Sequence, residues 1–224
     1  MKHKWAAYLA LAALASAIPF TLPHDQELLR VVFGGAGETS HHVAEFFSRY
    51  GRLEWSTLCV ALVLTLAGRL GLPGRRQKLY LAAKGCFLAG LTAGLLVWPG
   101  KMLLGRERPQ GGKGTGGLHG ARFALVGETL YHSMPSGHSA SSSGSMVACL
   151  ILYPPSGVVL VPAAAAVGWS RVKLGKHWPS DVLAGWLLGG TVGLVIGRLL
   201  RRQHALKLKL AEKLLPSQAA LSQD

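Results

Sequence analysis

Apolar residues run almost unbroken over 5–22, 55–70, 79–98, 137–153, 158–173 and 182–200, and polar residues collect between these runs. A bilayer-crossing helix needs about 20 apolar residues, within a range of ~17–25, and none of the six runs shows the period-two alternation of a half-buried strand. The pattern predicts an all-α, polytopic integral membrane protein with six transmembrane helices, forming one domain over residues 1–224. Lys84, inside the third run, lies about 9 Å from the start of its helix at 1.5 Å per residue. A mid-bilayer lysine costs roughly 2.5–3.5 kcal/mol, and here the long stem reaches the basic turn preceding the helix instead.

The segments between the runs differ in kind. Residues 1–4 are short and basic, as in a signal peptide, but the prolines Pro19 and Pro23 make a poor cleavage region and the first helix is expected to be retained. Residues 23–54 mix Asp25, Glu27, Glu38, Glu45 and Glu54 with Arg30, Arg49 and Arg52. Within them Val43, Ala44, Phe46, Phe47 and Tyr50 form the apolar stripe of a helix lying on a membrane surface or of a plain packed loop helix. His41 and His42 point to different sides of such a helix and are expected at the surface. The glycine-rich stretch 110–117 has no Gly-Lys-Ser/Thr ending and no strand before it, so it reads as a linker or lid and not as a nucleotide phosphate loop. Ser139 to Gly144 are all small residues, which lets helices approach closely.

Composition sharpens this picture. Half of the 224 residues are hydrophobic and 15% are charged, with a mean hydropathy of +0.31, too apolar for an ordinary soluble domain. The net charge of +14 would suit nucleic acid, but the basic residues form no stripe interleaved with aromatics. They cluster between the apolar runs, where they set topology and meet anionic headgroups. The N-terminus, the turn after the second run and the basic tail 201–224 carry few acidic residues and belong in the cytoplasm. Six spans then place the remaining connections at the outer face of the cytoplasmic membrane. Cys59, Cys86 and Cys149 sit singly inside apolar runs and imply neither a disulfide nor a metal site.

Three of the polar connections carry candidate chemistry. The first has Lys101, six residues, then Arg108-Pro109; the second is Pro135-Ser136-Gly137-His138; the third is Ser170-Arg171, five residues, His177, three residues, Asp181. Four residues apart near a helix start, the Asp181 carboxylate can reach the His177 ring. That contact fixes the tautomer and leaves the other nitrogen as a nucleophile. Arg171 offers a planar fork of donors that matches phosphate oxygens.

The three motifs, unsubstituted and in this order, resemble the type 2 phosphatidic acid phosphatase superfamily, which also includes bacterial lipid phosphatases and vanadium haloperoxidases. The resemblance spans Lys101 to Asp181 and implies a helical membrane core of that type. It also implies roles: Lys101, Arg108, Ser136, Gly137 and Arg171 bind phosphate, His177 is the nucleophile, Asp181 orients it, and His138 is the general acid and base. The implied activity is metal-independent hydrolysis of a lipid-linked phosphate or diphosphate through a phosphohistidine. Undecaprenyl diphosphate, phosphatidylglycerol phosphate, phosphatidic acid and lipid A all qualify as substrates. No cofactor, nucleic acid or obligatory protein partner is expected. A lipid phosphotransferase and a catalytically silent lipid-binding or lipid-translocating protein are the alternatives.

Overall fold

The computed structural model describes residues 3–34, 37–51, 53–70, 75–110, 116–121 and 129–221. The apolar runs become helices: α1 (His3–Thr21), α4 (Leu53–Leu70), α5 (Arg76–Leu104), α6 (Gly137–Leu152), α7 (Gly157–Lys173) and α8 (Pro179–Leu221). Two further helices, α2 (Asp25–Gly34) and α3 (Glu38–Tyr50), fold from the mixed-charge segment after the first run. Among the described residues the architecture is entirely helical, save one isolated bridge between Arg106 and Leu118. Among the described residues three helical stretches are long and apolar enough to cross a membrane: Ala7–Phe33, Arg76–Leu104 and Pro179–Leu214. Thr57–Leu70 is a shorter apolar helix. At 16 and 17 residues, α6 and α7 rise about 24–26 Å, short of a hydrocarbon core of roughly 30 Å.

The centre of the fold is α6, which packs against α8 and α5. Its contact with α8 is made backbone to backbone. Gly185, Gly189, Gly193 and Gly197 recur every fourth residue along one face of α8. A Cβ at Gly185 would lie 2.6 Å from the Ser136 carbonyl oxygen, and one at Gly193 would lie 2.5 Å from that of Gly144. This is the small-residue packing that membrane helices use in place of a hydrophobic driving force. A buried serine of α6 is satisfied across helices: Ser145 donates to the Cys86 carbonyl of α5 at 3.0 Å and lies 3.2 Å from the Thr57 hydroxyl of α4. Apolar packing completes the core through Ala93, Val97 and Ala140 near one end and Ala82, Leu152 and Leu200 near the other.

Two helices run further than the apolar pattern suggested. Pro99 does not end α5, because a proline removes a single intrahelical bond and membrane helices tolerate that loss. The stop comes at Gly105, whose φ of +50° suits glycine and whose N–H bonds the Lys101 carbonyl at 3.0 Å. Lys101 therefore sits on the last helical turn, and Arg106 to Arg108 leave it as extended chain. At the other end α8 continues through the basic tail to Leu221. Lys84 is exposed. The free cysteines are Cys59, exposed, and Cys86 and Cys149, buried.

Candidate active site

His177 is held by the turn that joins α7 to α8. The N–H groups of Lys176 and His177 both bond the Arg171 carbonyl, at 3.0 and 3.2 Å. Pro179 then opens α8, a position where its missing donor costs nothing. Asp181, in the first turn of α8, accepts the Trp178 N–H on Oδ2 at 2.9 Å, as the third residue of a capping box does. The i, i+4 spacing brings His177 Nδ1 to 3.6 Å from Asp181 Oδ2. That is ion-pair range, longer than the hydrogen bond expected from the spacing.

The carboxylate is committed elsewhere. Its Oδ1 accepts from Arg106 Nη1 at 2.6 Å, and its Oδ2 accepts from the Ser133 hydroxyl at 2.5 Å. Arg106 also binds Asp25 Oδ2 through Nη2 at 2.6 Å and the Ser180 hydroxyl through Nη1 at 2.6 Å. Asp25 in turn accepts the Ser180 N–H at 2.9 Å and the Ser180 hydroxyl. Trp178 closes this network, its indole N–H donating to the Glu107 carbonyl at 2.8 Å. Asp25, Arg106, Ser133, Ser180 and Asp181 are all buried. A buried charge is tolerated only when paired and hydrogen-bonded, and here each partner is. Sequence reasoning passed over Arg106, Asp25, Ser133 and Ser180. Arg106 lay inside the first motif, two residues before Arg108. Asp25 is 81 residues from Arg106, and no local signal marks it.

The cations on the other side of His177 are treated differently. Lys101 Nζ donates to the His132 carbonyl at 2.5 Å. Arg108 donates to the carbonyls of Thr129, Lys176 and His132 at 2.9, 2.9 and 3.1 Å. Its Nη1 stands 3.5 Å from His177 Nε2. Among the described residues neither Lys101 nor Arg108 makes an ion pair, and their donors meet neutral oxygens instead. Arg171, also buried, donates to the Ser48 hydroxyl at 2.5 Å. Burial pushes the Arg108 guanidinium below its usual pKa, partly offset by the Asp181 charge. Burial, with the charges of Lys101, Arg108 and Arg171, drives the His177 imidazole well below its ordinary value of 6.5. The ring is therefore neutral at physiological pH, with Nε2 facing a cation.

The second motif completes the ring. The Ser136 N–H bonds the Asp181 carbonyl at 3.0 Å, tying the start of α6 to the first turn of α8. The Ser136 hydroxyl accepts from Ser139 at 3.0 Å and makes no capping bond. The first turn of α6, from Gly137, thus presents the positive end of a helix dipole to the same space. His138 and Arg171 line a polar cleft of about 390 Å³ whose opposite wall is α3. Of the eight residues singled out in the sequence, Lys101, Arg108, Arg171 and Asp181 neighbour His177, Ser136 binds the Asp181 backbone, Gly137 opens α6, and His138 lines the cleft with Arg171. Of the glycine-rich stretch 110–117, residues 111–115 lie outside the described residues; Gly116 accepts from Arg106 Nε at 3.1 Å and Gln110 donates to the Leu174 carbonyl at 2.8 Å.

Comparison with known proteins places this geometry in context. A model of the PAP2 superfamily matches residues 79–205. A lipid A 1-phosphatase of Rhizobium etli is 30% identical over 165 residues, covering 68% of this chain and 68% of that protein. A decaprenylphosphoryl-5-phosphoribose phosphatase of Mycobacterium tuberculosis is 37% identical over 139 residues, covering 60% of this chain and 68% of that one. The crystal structure of a transmembrane PAP2 type phosphatidylglycerolphosphate phosphatase from Bacillus subtilis superposes with a TM-score of 0.60 at 22% identity. That superposition covers 92% of this chain and 97% of the other and is a likeness of fold.

Proposed function

This chain belongs to the PAP2 superfamily, and on that premise we propose that it is a membrane-embedded phosphatase acting on a lipid-linked phosphate or diphosphate. The observation that carries the reading is a neutral, buried His177 beside two basic side chains, Lys101 and Arg108, that the described residues leave without a carboxylate. Such a site lacks only an anion. A phosphoryl group set among Lys101, Arg108 and Arg171 supplies it, with charge-assisted hydrogen bonds to its oxygens. Ser136 and the Gly137 N–H add donors at the α6 terminus.

In the proposed reaction the His177 Nε2 lone pair attacks phosphorus and the bond to the leaving oxygen breaks. His138 gives that oxygen a proton, then takes one from the water that cleaves the phosphohistidine. Asp181, with its charge 3.6 Å from Nδ1, stabilises the positive ring of the intermediate and holds the turn that aims it. The guanidinium and ammonium groups neutralise the transition-state charge, the task that metal ions perform in other phosphoryl-transfer sites, so turnover needs no metal.

In this reading the basic N-terminus, second turn and tail lie in the cytoplasm, six spans carry the site to the outer face of the cytoplasmic membrane, and the basic charge of the outer connections, against the usual rule, is held for chemistry. There the acyl or prenyl chain stays in the bilayer while the headgroup enters. Undecaprenyl diphosphate, phosphatidylglycerol phosphate, phosphatidic acid and lipid A form the test panel. Detergent-purified protein with chelator present is expected to release phosphate from at least one of them, and His177→Ala to release none. Release that survives in His177→Ala contradicts the proposal; label passing to a second lipid instead of water makes the protein a phosphotransferase.

A further inference from the structure

We infer that the polar cleft between His138 and α3 is a leaving-group subsite that selects a second phosphate, so that the substrate is a lipid diphosphate. The inference rests on the phosphatase reading and adds the chemistry of the group that departs. Its starting point is which catalytic candidates the cleft reaches. His138 and Arg171 line it, whereas the buried His177 and Asp181 do not. In the proposed reaction His138 protonates the departing oxygen, and His138 lines the cleft, so that oxygen leaves on the cleft side. The cleft is where whatever is attached to that oxygen must go.

The far wall is α3, a helix that lies before residue 79 and so outside the region shared with the family model. Ala44 and Ser48 bury against α7, and Ser48 accepts the Arg171 guanidinium at 2.5 Å. His41, Glu45 and Arg49 follow at four-residue spacing, which sets them on one face, and all three line the cleft. The opposite face carries Val43, Phe46 and Tyr50, which are exposed. A helix polar toward the cleft and apolar on its outer side lies naturally at the boundary of the bilayer. It thereby brings the headgroup wall and the lipid chain into register.

The charges decide what that wall accepts. Arg49 and Lys176 face the cleft in addition to Arg171, and the one carboxylate among the described residues lining it is Glu45, which already lies 3.7 Å from both His41 and His42. Among the described residues Leu174 is the sole apolar one of the lining. A diacylglycerol or sugar leaving group would strip water from these cations and return no charge. A phosphate would meet them with charge-assisted bonds. In a lipid diphosphate the terminal phosphorus takes the His177 lone pair. The bond to the bridging oxygen breaks with its electrons on that oxygen, His138 supplies the proton, and lipid monophosphate departs past Arg49 and Lys176.

The test compares one polyprenyl chain bearing a diphosphate with the same chain bearing a monophosphate, in detergent, for the full-length protein, Arg49→Gln and Arg49→Lys. The quantity read is the ratio of kcat/KM for the two lipids, which a partly misfolded preparation leaves unaltered. Loss of one charge-assisted bond to the leaving phosphate lowers this ratio about tenfold or more in Arg49→Gln, and Arg49→Lys restores most of it. An equal ratio in the unsubstituted protein and Arg49→Gln, with both lipids turned over, overturns the subsite and leaves the phosphatase standing. No release from either lipid by the unsubstituted protein overturns both.

Discussion

Arg106 donates to Asp181 at 2.6 Å with both side chains all but removed from solvent, and this pair, more than any bond to His177, holds the carboxylate in place. The same guanidinium holds Asp25 at 2.6 Å, so one cation ties α2 to the first turn of α8. Removing it leaves two buried carboxylates facing each other. Arg106→Met is therefore expected to destabilise the fold by about 3–5 kcal/mol, read as a large fall in the thermal unfolding midpoint in detergent. An unchanged midpoint would show the pair to be dispensable.

Asp181→Asn tests catalysis at the same spot. The amide oxygen still accepts one of the bonds from Arg106, Ser133 or Trp178, but the negative charge beside Nδ1 is gone. A fall in kcat of about a hundredfold or more is expected, since the comparable change in other His–Asp pairs is larger still. A rate equal to that of the unsubstituted protein would remove Asp181 from the mechanism and leave it as a helix cap.

Burial and three neighbouring cations hold His177 neutral far below its ordinary pKa of 6.5, and this has a consequence for stability. Unfolded chain takes up a proton at this residue as pH falls through about 6.5, whereas the folded protein does not. More protons bound by the unfolded state mean lower stability, so stability drops on acidification from that pH. His177→Gln cannot titrate, and its unfolding midpoint is expected to fall less steeply between about pH 7 and pH 5. Parallel slopes for the two proteins would show that the ring is protonated in the fold.

Among the described residues no three His, Cys, Asp or Glu side chains gather as a metal site would require, and the cradle is made of cations. Phosphate release is accordingly expected to be the same with and without chelator. Inhibition by chelator that added Mg²⁺ reverses would contradict the cation-only mechanism.

How much of this was legible in the sequence depended on distance along the chain. His177 and Asp181, four residues apart, and the tight Pro135–His138 and Lys101–Arg108 groups advertise their roles through local spacing. Arg106 sat inside one of these groups yet carried no spacing of its own. Asp25, placed against Ser180 and Arg106 only by folding, looked like one more acidic residue of a mixed segment. His41 and Arg49 gain meaning only once Ser48 docks α3 against Arg171. The apolar runs located the helices and, for α6 and α7, their ends to within a residue. The end of α5 was missed, because Pro99 reads as a stop and the actual stop, Gly105, lies six residues on.

The four-residue glycine repeat of α8 went unread in the sequence, and its purpose emerges from the contact with α6. Gly193→Ala places a methyl group 2.5 Å from the Gly144 carbonyl oxygen, and helices packed through their backbones cannot yield without separating. A loss of about 1–3 kcal/mol is expected, seen as a lower unfolding midpoint. A stable Gly193→Ala protein would mean that α6 and α8 are not packed this closely.

The central claim is that His177 takes the phosphoryl group. Its most direct test is to mix the purified protein with lipid carrying ³²P in the scissile phosphate, quench in alkali within a single turnover, and map the label on the chain. The expected result is an alkali-stable, acid-labile phosphate on the peptide containing His177, absent from His177→Ala and accumulating in His138→Ala, where hydrolysis of the intermediate is slowed. Rapid release of labelled phosphate with no label on the chain at any time, or label on another residue, would contradict the account.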